Sequence, residues 1–268
     1  MKFRPLCIIL LSLSFTFCVA QSTATIQVST FTIEAPQLQT DKKIWIYLPK
    51  DYVTTAQEYP VVYMHDAQNL FDVETSFLGE WEVDEYLDSV AKQKSIIIGI
   101  AHGDEKRAEE LTPYPHPEYG GGQGDNYLNF IIQTLKPYVD STYRTLKDPK
   151  HTTIFGSSLG GLMSFYAIIK HPEVFGNAGI FSPSFWFSNR IFDLVLEKDI
   201  PSTSRFYFMA GSEESDTMVP DQEKMIALLS DKGVAKDHIK NIVIEGGKHN
   251  EALWRKNFPE AYEWLIGE

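Results

Sequence analysis

The segment Gly156-Ser157-Ser158-Leu159-Gly160 has the pattern Gly-x-Ser-x-Gly, which is typical of a nucleophilic serine on a sharp turn between a strand and a helix. Such a turn strains the serine backbone and leaves no room for side chains two positions before and after it. Glycines occupy both positions around Ser158, and we therefore predict that Ser158 is a nucleophile. Ordinary glycine-rich turns share this pattern, so the hypothesis needs partner residues.

A serine hydroxyl attacks an acyl carbon near neutral pH only with a base that takes its proton and an acid that orients the base. In one widespread arrangement these groups follow in the order serine, acid, histidine. We predict that His249 is the base, because it follows the last strand-like run and precedes the last helix-like run. Residues 211–216 place three carboxylates at one strand end, and we predict Glu214 as the acid, with Asp216 as the alternative.

Backbone N–H groups are expected to stabilise the oxyanion that such an attack creates. One donor is the N–H of Leu159 at the start of its helix. The second is expected in the loop after residues 59–64, where Ala67 and Gln68 are the candidates. The neighbouring residues His65 and Asp66 point apart on one strand end and have no partner cluster, so no metal site is predicted. No cofactor is implied.

The elements that position these residues alternate between strand-like and helix-like runs. Residues 24–35 and 43–48 have period-two patterns and predict an antiparallel pair at one edge of a sheet. Further strands are predicted at 59–64, 95–101, 151–155, 178–181, 206–210 and 241–245, and helices at 81–92, 126–141, 162–170, 219–232 and 251–266. This alternation predicts an α/β fold with a mostly parallel sheet covered by helices on both faces, and ligands beyond the carboxyl ends of the strands.

Two stretches, residues 102–124 and 182–204, are interpreted as irregular. The first is rich in proline and glycine, and the second is similar and opens with Ser182-Pro183-Ser184. Loops of this length are uncommon in compact domains unless they have a function. Both stretches adjoin strands near the predicted nucleophile, so we expect them to form the walls of a pocket.

Residues 1–20 have a basic start, an apolar centre and a small-residue end, which predict a secretory signal peptide cleaved after Ala20. The alternative is a lipoprotein acylated at Cys18. Both cysteines of the chain lie in this segment, so residues 21–268 are expected to form one domain without disulfides, in a secreted or periplasmic protein. The net charge of −12 makes nucleic acid and anionic membranes poor partners. No later run is long enough to span a membrane, and the oligomeric state is left open.

The chain resembles the putative-esterase (esterase D-like) family of α/β-hydrolases, which includes siderophore, feruloyl and acetylxylan esterases and mycolyltransferases. The resemblance covers nearly all of residues 21–268 and rests on residues 65–72, 79–85, 135–145, 156–162, 182–186 and 249–254. It implies an α/β-hydrolase fold, a triad of Ser158, His249 and a carboxylate after Gly211, and an oxyanion hole formed by Gln68 and Leu159. The chain departs from many relatives in carrying Ala67 where they have glycine.

The same resemblance implies that Trp186 and the loop with Arg107 and Tyr114 contact the acyl or alcohol part of the substrate. The function predicted from all of these features is a serine carboxylic-ester hydrolase that acts on a small-molecule or glycan ester through an acyl-enzyme. Two alternatives stay open: an acyltransferase to a sugar or lipid, and a non-catalytic binding module on the same fold.

Overall fold

The inner strands of the central sheet are short, and their side chains are buried on both faces. The computed structural model describes residues 22–267, so the predicted signal peptide lies outside the described residues. The strands are β1 (Val28–Ala35), β2 (Thr40–Tyr47), β3 (Val61–His65), β4 (Ile96–Ile100), β5 (Thr152–Ser157), β6 (Asn177–Phe181), β7 (Arg205–Gly211) and β8 (Ile239–Ile244).

These strands form one sheet in the order β1-β2-β4-β3-β5-β6-β7-β8. β1 and β2 pair antiparallel at one edge, and β2 is also antiparallel to β4. Every pair from β4 to β8 is parallel. The predicted topology, a mostly parallel sheet with an antiparallel N-terminal edge, is therefore confirmed.

Helices cover both faces of the sheet. They are α1 (Val83–Ser89), α2 (Arg107–Leu111), α3 (Gly124–Phe130), α4 (Lys136–Thr142), α5 (Leu159–Lys170), α6 (Arg190–Glu197), α7 (Met218–Asp231) and α8 (Glu251–Ile266). A π-helical stretch, Ile131–Leu135, joins α3 to α4, so the helix predicted at 126–141 is one continuous element.

Side chains that alternate along each strand enter two separate hydrophobic clusters. In β3, Tyr63 packs on the face that contains α3 to α7, whereas Met64 packs on the face that contains α1 and α8. Phe206 and Tyr207 of β7 divide in the same way. Strands buried on both faces need apolar residues at every position, which explains their continuous apolar runs in the sequence.

The two stretches interpreted as irregular contain helices, and this part of the prediction is wrong. Residues 102–124 include α2, and residues 182–204 include the 3₁₀ turn Phe185–Phe187 and the helix α6. These elements are short, and proline or glycine stands close to them, so local sequence favours no regular structure over a window of helical length. Within residues 22–267 no helix combines the length and apolar character that crossing a membrane requires.

A buried ion pair attaches α2 to the sheet. Lys42 in β2 donates to both carboxylate oxygens of Glu110, at 2.6 and 2.5 Å, and to the carbonyl oxygen of Ala101 at 3.2 Å. The two side chains are only 3% and 5% exposed. Removing one partner of a buried pair leaves an uncompensated charge away from water.

We expect Glu110→Gln to lower the free energy of unfolding by about 3 to 5 kcal/mol, because Lys42 would keep its charge without a counter-ion. The measurement is urea unfolding followed by circular dichroism. Lys94→Met, which breaks the exposed pair of Lys94 with Asp51, is the control and should cost less than about 1 kcal/mol. An unfolding free energy of Glu110→Gln equal to that of the wild type would contradict this role for the pair.

Candidate active site

Ser158 occupies the turn between β5 and α5 with φ 58° and ψ −121°, in a region that residues with a side chain rarely adopt. Its backbone N–H donates to Phe181 O at 2.9 Å, and its own carbonyl accepts from the N–H of Ser184 at 3.1 Å. These bonds hold the strained residue from the adjacent strand β6 and the loop that follows it. The Ser158 hydroxyl lies 3.4 Å from the hydroxyl of Ser184.

β5 and α5 approach each other closely at the turn, which explains why residue 156, two positions before Ser158, is a glycine. A Cβ atom on Gly156 would lie 2.8 Å from the carbonyl carbon and oxygen of Gly160, and equally close to the ring of His65. The backbone atoms cannot move aside without opening the turn. Glycine at this position therefore permits the conformation of Ser158.

Glu214 follows β7 and turns back toward the end of the sheet. Its Oε1 accepts hydrogen bonds from the Gly211 N–H at 2.6 Å and from the Ser182 hydroxyl at 2.7 Å, and its Oε2 lies 2.6 Å from Nδ1 of His249. The Glu214 side chain is 1% exposed. The carboxylate is held in place by these donors, so its Oε2 is positioned to accept a hydrogen bond from Nδ1 of the histidine.

His249 lies in the loop between β8 and α8, where Asn250 caps the helix by accepting from the N–H of Leu253. Its ring packs edge-on against the indole of Trp254, with the centroids 4.9 Å apart. The same indole donates from Nε1 to the Ser182 hydroxyl at 2.8 Å, and thus joins the hydrogen bonds around Glu214. The orientation of the imidazole is set by a carboxylate on one side and an aromatic ring on the other.

The alternative acid, Asp216, is exposed and has no hydrogen bond or ion pair to any part of the chain between residues 22 and 267. Gly211, three residues before Glu214, allows the loop after β7 to meet the loop between β8 and α8. A Cβ atom on Gly211 would overlap the carbonyl group of Gly247, just before His249. The structure thus brings Glu214, and not Asp216, to the histidine.

The loop after β3 begins at Asp66 in a left-handed conformation and continues as the 3₁₀ turn Ala67–Asn69. Among the residues described, no oxygen accepts a hydrogen bond from the N–H groups of Ala67, Gln68 or Leu159. Ala67 is fully buried, whereas Gln68 is partly exposed. Free N–H groups at a helix start and a strand end are the donors that an oxyanion requires.

Ser158 and His249 line the same cleft, which has a volume of about 450 Å³. One part of its lining is polar and includes Asp66, His102 and Arg107; another part is apolar and includes Phe77, Leu78 and Trp254. Phe77 and Leu78 are 83% and 69% exposed, although they are large apolar residues.

The segment that carries Phe77 is attached to the oxyanion loop. Asn69 accepts the Phe77 N–H on its side-chain oxygen, and the Thr75 hydroxyl donates to the carbonyl of Gln68 at 2.8 Å. Phe77 and Leu78 were not among the residues predicted to contact the substrate. Their only signal is an apolar pair within a polar stretch between strand and helix.

Arg107 lies in this cleft and is paired with a buried carboxylate. Its Nε and Nη2 donate to the two oxygens of Asp66 at 2.7 and 2.8 Å. Burial opposes ionisation of Asp66, but the adjacent guanidinium outweighs it, and the pKa of Asp66 is lowered. The preceding residue, His65, is also buried, and burial lowers its pKa to about 4. The His65 ring, which contacts the hydroxyl of Tyr127, is therefore neutral at pH 7.

Two residues assigned to the substrate from the family resemblance lie outside the lining of this cleft. Trp186 is half-exposed and packs against His116 and Tyr119, with ring centroids 6.0 and 5.9 Å apart. Tyr114 packs against Tyr166 and beneath the guanidinium of Arg190. The course of the long loops, which local sequence does not determine, turns both rings toward aromatic neighbours.

A cleft of about 500 Å³ lies at the opposite end of the sheet and is lined by residues such as Lys150, Arg205 and His238. These residues stand at the amino ends of β5, β7 and β8. Ligands of open α/β sheets bind at the carboxyl ends. The smaller cleft at Ser158 is therefore the better candidate for the active site.

Comparison with known proteins identifies similar chains. A model of the family described as "Putative esterase" matches residues 35–265. The protein YbbA of Bacillus subtilis (strain 168) is 29% identical over 245 residues, which cover 85% of this chain and 94% of YbbA. A siderophore enterobactin esterase of Emericella nidulans is 30% identical over 146 residues, 48% of this chain and 47% of that enzyme. The crystal structure of BES protein from Bacillus cereus has a TM-score of 0.73 and 21% identity, with 94% of this chain and all of that chain covered.

Proposed function

Because the chain belongs to the putative esterase family and is a carboxylic ester hydrolase, we propose that it works through an acyl-enzyme formed on Ser158. The observation that carries this proposal is the hydrogen bond between His249 and the buried carboxylate of Glu214 beside a cleft that contains Ser158. A histidine held in this way presents Nε2 as a base. The fold supports an esterase of the α/β-hydrolase type.

In the proposed reaction Ser158 Oγ attacks the ester carbonyl carbon while His249 Nε2 takes the hydroxyl proton. The negative charge that forms on the carbonyl oxygen is stabilised by the N–H groups of Gln68 and Leu159. Glu214 stabilises the imidazolium through Nδ1. The C–O bond to the alcohol then breaks, and the alcohol leaves with the proton from His249.

The acyl-enzyme is released by water in a second cycle of the same steps. His249 takes a proton from water, the hydroxide adds to the acyl carbon, and Ser158 leaves with the proton. Acyl transfer to a sugar or lipid uses the same acyl-enzyme with an alcohol in place of water. In these steps each proton and each charge is handled by a side chain or a backbone N–H of this chain.

We propose that the apolar part of the ester contacts Phe77 and Leu78, because both are exposed in the cleft and their segment is hydrogen-bonded to the oxyanion loop. Arg107 stands in the same cleft. Within residues 22–267 its Nη1 has no acceptor, which leaves this nitrogen for an oxygen of the substrate. These contacts suit a small-molecule or glycan ester with both an apolar and an oxygen-rich part.

We also propose that the protein is exported to the periplasm or the exterior. The support is the sequence of residues 1–20, with Lys2 and Arg4 before an apolar run and small residues before polar Gln21.

We expect Ser158→Ala to lower kcat for p-nitrophenyl acetate by roughly 10⁴-fold or more, because the nucleophile is lost. The rate of p-nitrophenol release by purified protein measures this. Ser230→Ala, which changes an exposed serine on α7, is the control and should keep the wild-type rate. Full activity in Ser158→Ala would show that another residue carries the reaction.

We expect Glu214→Gln to lower kcat by roughly 10³- to 10⁴-fold, because glutamine neither stabilises the imidazolium nor fixes the tautomer of His249. The matched variant Asp216→Asn removes an exposed carboxylate two residues away and should change kcat by less than about twofold. Steady-state kinetics of both variants decide between the two acids. A loss of activity in Asp216→Asn alone would assign the role to Asp216.

We expect Phe77→Ala to raise KM for p-nitrophenyl hexanoate by roughly 5- to 20-fold, with a smaller effect on the acetate, because a longer acyl chain loses apolar contact. Kinetics with the two esters give the comparison. Val53→Ala, at an exposed position outside the cleft, is the control. If KM changed equally for the two esters, the acyl chain would not contact Phe77.

A further inference from the structure

A group of three carboxylates lies outside the lining of the cleft, at the start of α1. We propose that Glu80, Asp84 and Glu85 bind one hard divalent cation. One ligand oxygen from each residue lies within 4.8 Å of the others. This inference does not depend on the reaction proposed for Ser158.

The first support is the burial of these charges. Glu80 is 5% exposed and Asp84 is fully buried. Glu80 Oε1, Asp84 Oδ1 and Glu85 Oε2 are buried and accept no hydrogen bond from a donor group among the residues described, although the carboxyls of Asp84 and Glu85 lie within hydrogen-bond reach of each other. Buried carboxylates without partners are costly, and buried charges are normally paired or bound to metal ions.

The second support is the way in which the remaining oxygens are held. Glu80 Oε2 accepts from the Thr23 hydroxyl at 2.8 Å, and Asp84 Oδ2 accepts from the Thr25 N–H at 2.6 Å. Each of these carboxylates is thus fixed by one oxygen and keeps the other free. The hydroxyl of Thr25, the residue whose N–H binds Asp84, is also buried.

The third support is the sign of the surrounding charge. Within the described chain, no lysine, arginine or histidine forms an ion pair with the three carboxylates. Arg255 donates to the Glu80 backbone carbonyl at 3.4 Å, but its ion pair is with Glu82 at 2.8 Å. The neighbouring carboxylates of Asp72 and Glu82 add to the negative charge at Glu80.

Protonation is the alternative to a bound cation. One proton shared between the neighbouring carboxyls of Asp84 and Glu85 would take the place of the ion. A divalent ion would displace it and neutralise two of the charges.

The donor set selects the class of cation. Carboxylate and hydroxyl oxygens suit hard cations such as Ca²⁺ and Mg²⁺, whereas softer metals prefer imidazole or thiolate. Ca²⁺ accepts six to eight oxygens in flexible geometry, and water can complete its shell. Bound there, the ion would join α1 to the segment that contains Thr23 and Thr25.

The test is calorimetric titration of the chelator-treated, full-length protein with CaCl₂ and, separately, MgCl₂. We expect one site for at least one of the two ions. We also expect a rise in Tm of roughly 5 to 10 °C when the free ion exceeds its Kd about 100-fold. Asp84→Asn should abolish both the binding heat and the rise in Tm.

Glu82→Gln is the matched control, because it removes an exposed carboxylate between the proposed ligands that pairs with Arg255 instead. It should keep the binding and the rise in Tm. If Asp84→Asn fails to fold, Glu85→Gln, which changes the least buried of the ligands, takes its place. Absence of binding by the wild type, binding that survives in the ligand variants, or an equal loss in Glu82→Gln would each overturn the proposal.

Discussion

The buried carboxylate of Glu214 joins three parts of the chain that are distant in sequence. It accepts from the Gly211 N–H at the end of β7, from the Ser182 hydroxyl after β6, and from His249 in the loop before α8. Trp254 extends the network by donating to Ser182 and by packing against the imidazole. A buried charge is tolerated only when its hydrogen bonds are complete. The position of His249 therefore depends on a set of bonds that form together when the parallel strands are in register.

The nucleophile depends on the same end of the sheet. The strained backbone of Ser158 is held by hydrogen bonds from β6 and the loop after it, and Gly156 permits the close approach of α5. The wall of the cleft is fixed by two ion pairs: Lys42 with Glu110 attaches α2 to β2, and Asp66 with Arg107 attaches α2 to the oxyanion loop. A helix of five residues is too short to be stable alone, and these charged contacts with β2 and with the loop after β3 stabilise it.

Much of the sheet and its strand-end loops followed from the sequence, because strands buried on both faces need continuous apolar runs such as residues 59–64. The turn at Ser158 could also be predicted from the sequence, because the close packing around it leaves room only for glycine at Gly156. The helices α2 and α6 were missed because they are short and are stabilised by tertiary contacts. Sequence patterns could not decide between Glu214 and Asp216, because the choice depends on the geometry of the loop. They could not place Trp186 either, because its surroundings are formed by aromatic residues far along the chain. The apolar residues Phe77 and Leu78 have no periodic pattern that marks them as a wall of the cleft.

The central claim is that Ser158 becomes covalently acylated. A fluorophosphonate reacts with an activated serine in place of the ester and stays bound to it, so mass spectrometry of the labelled protein tests this claim most directly. We expect one equivalent of label, located by peptide mapping at Ser158, and we expect it to be blocked by prior incubation with a slowly hydrolysed ester. An intact protein without added mass, or a label located at Ser157 or Ser184 instead, would contradict the claim.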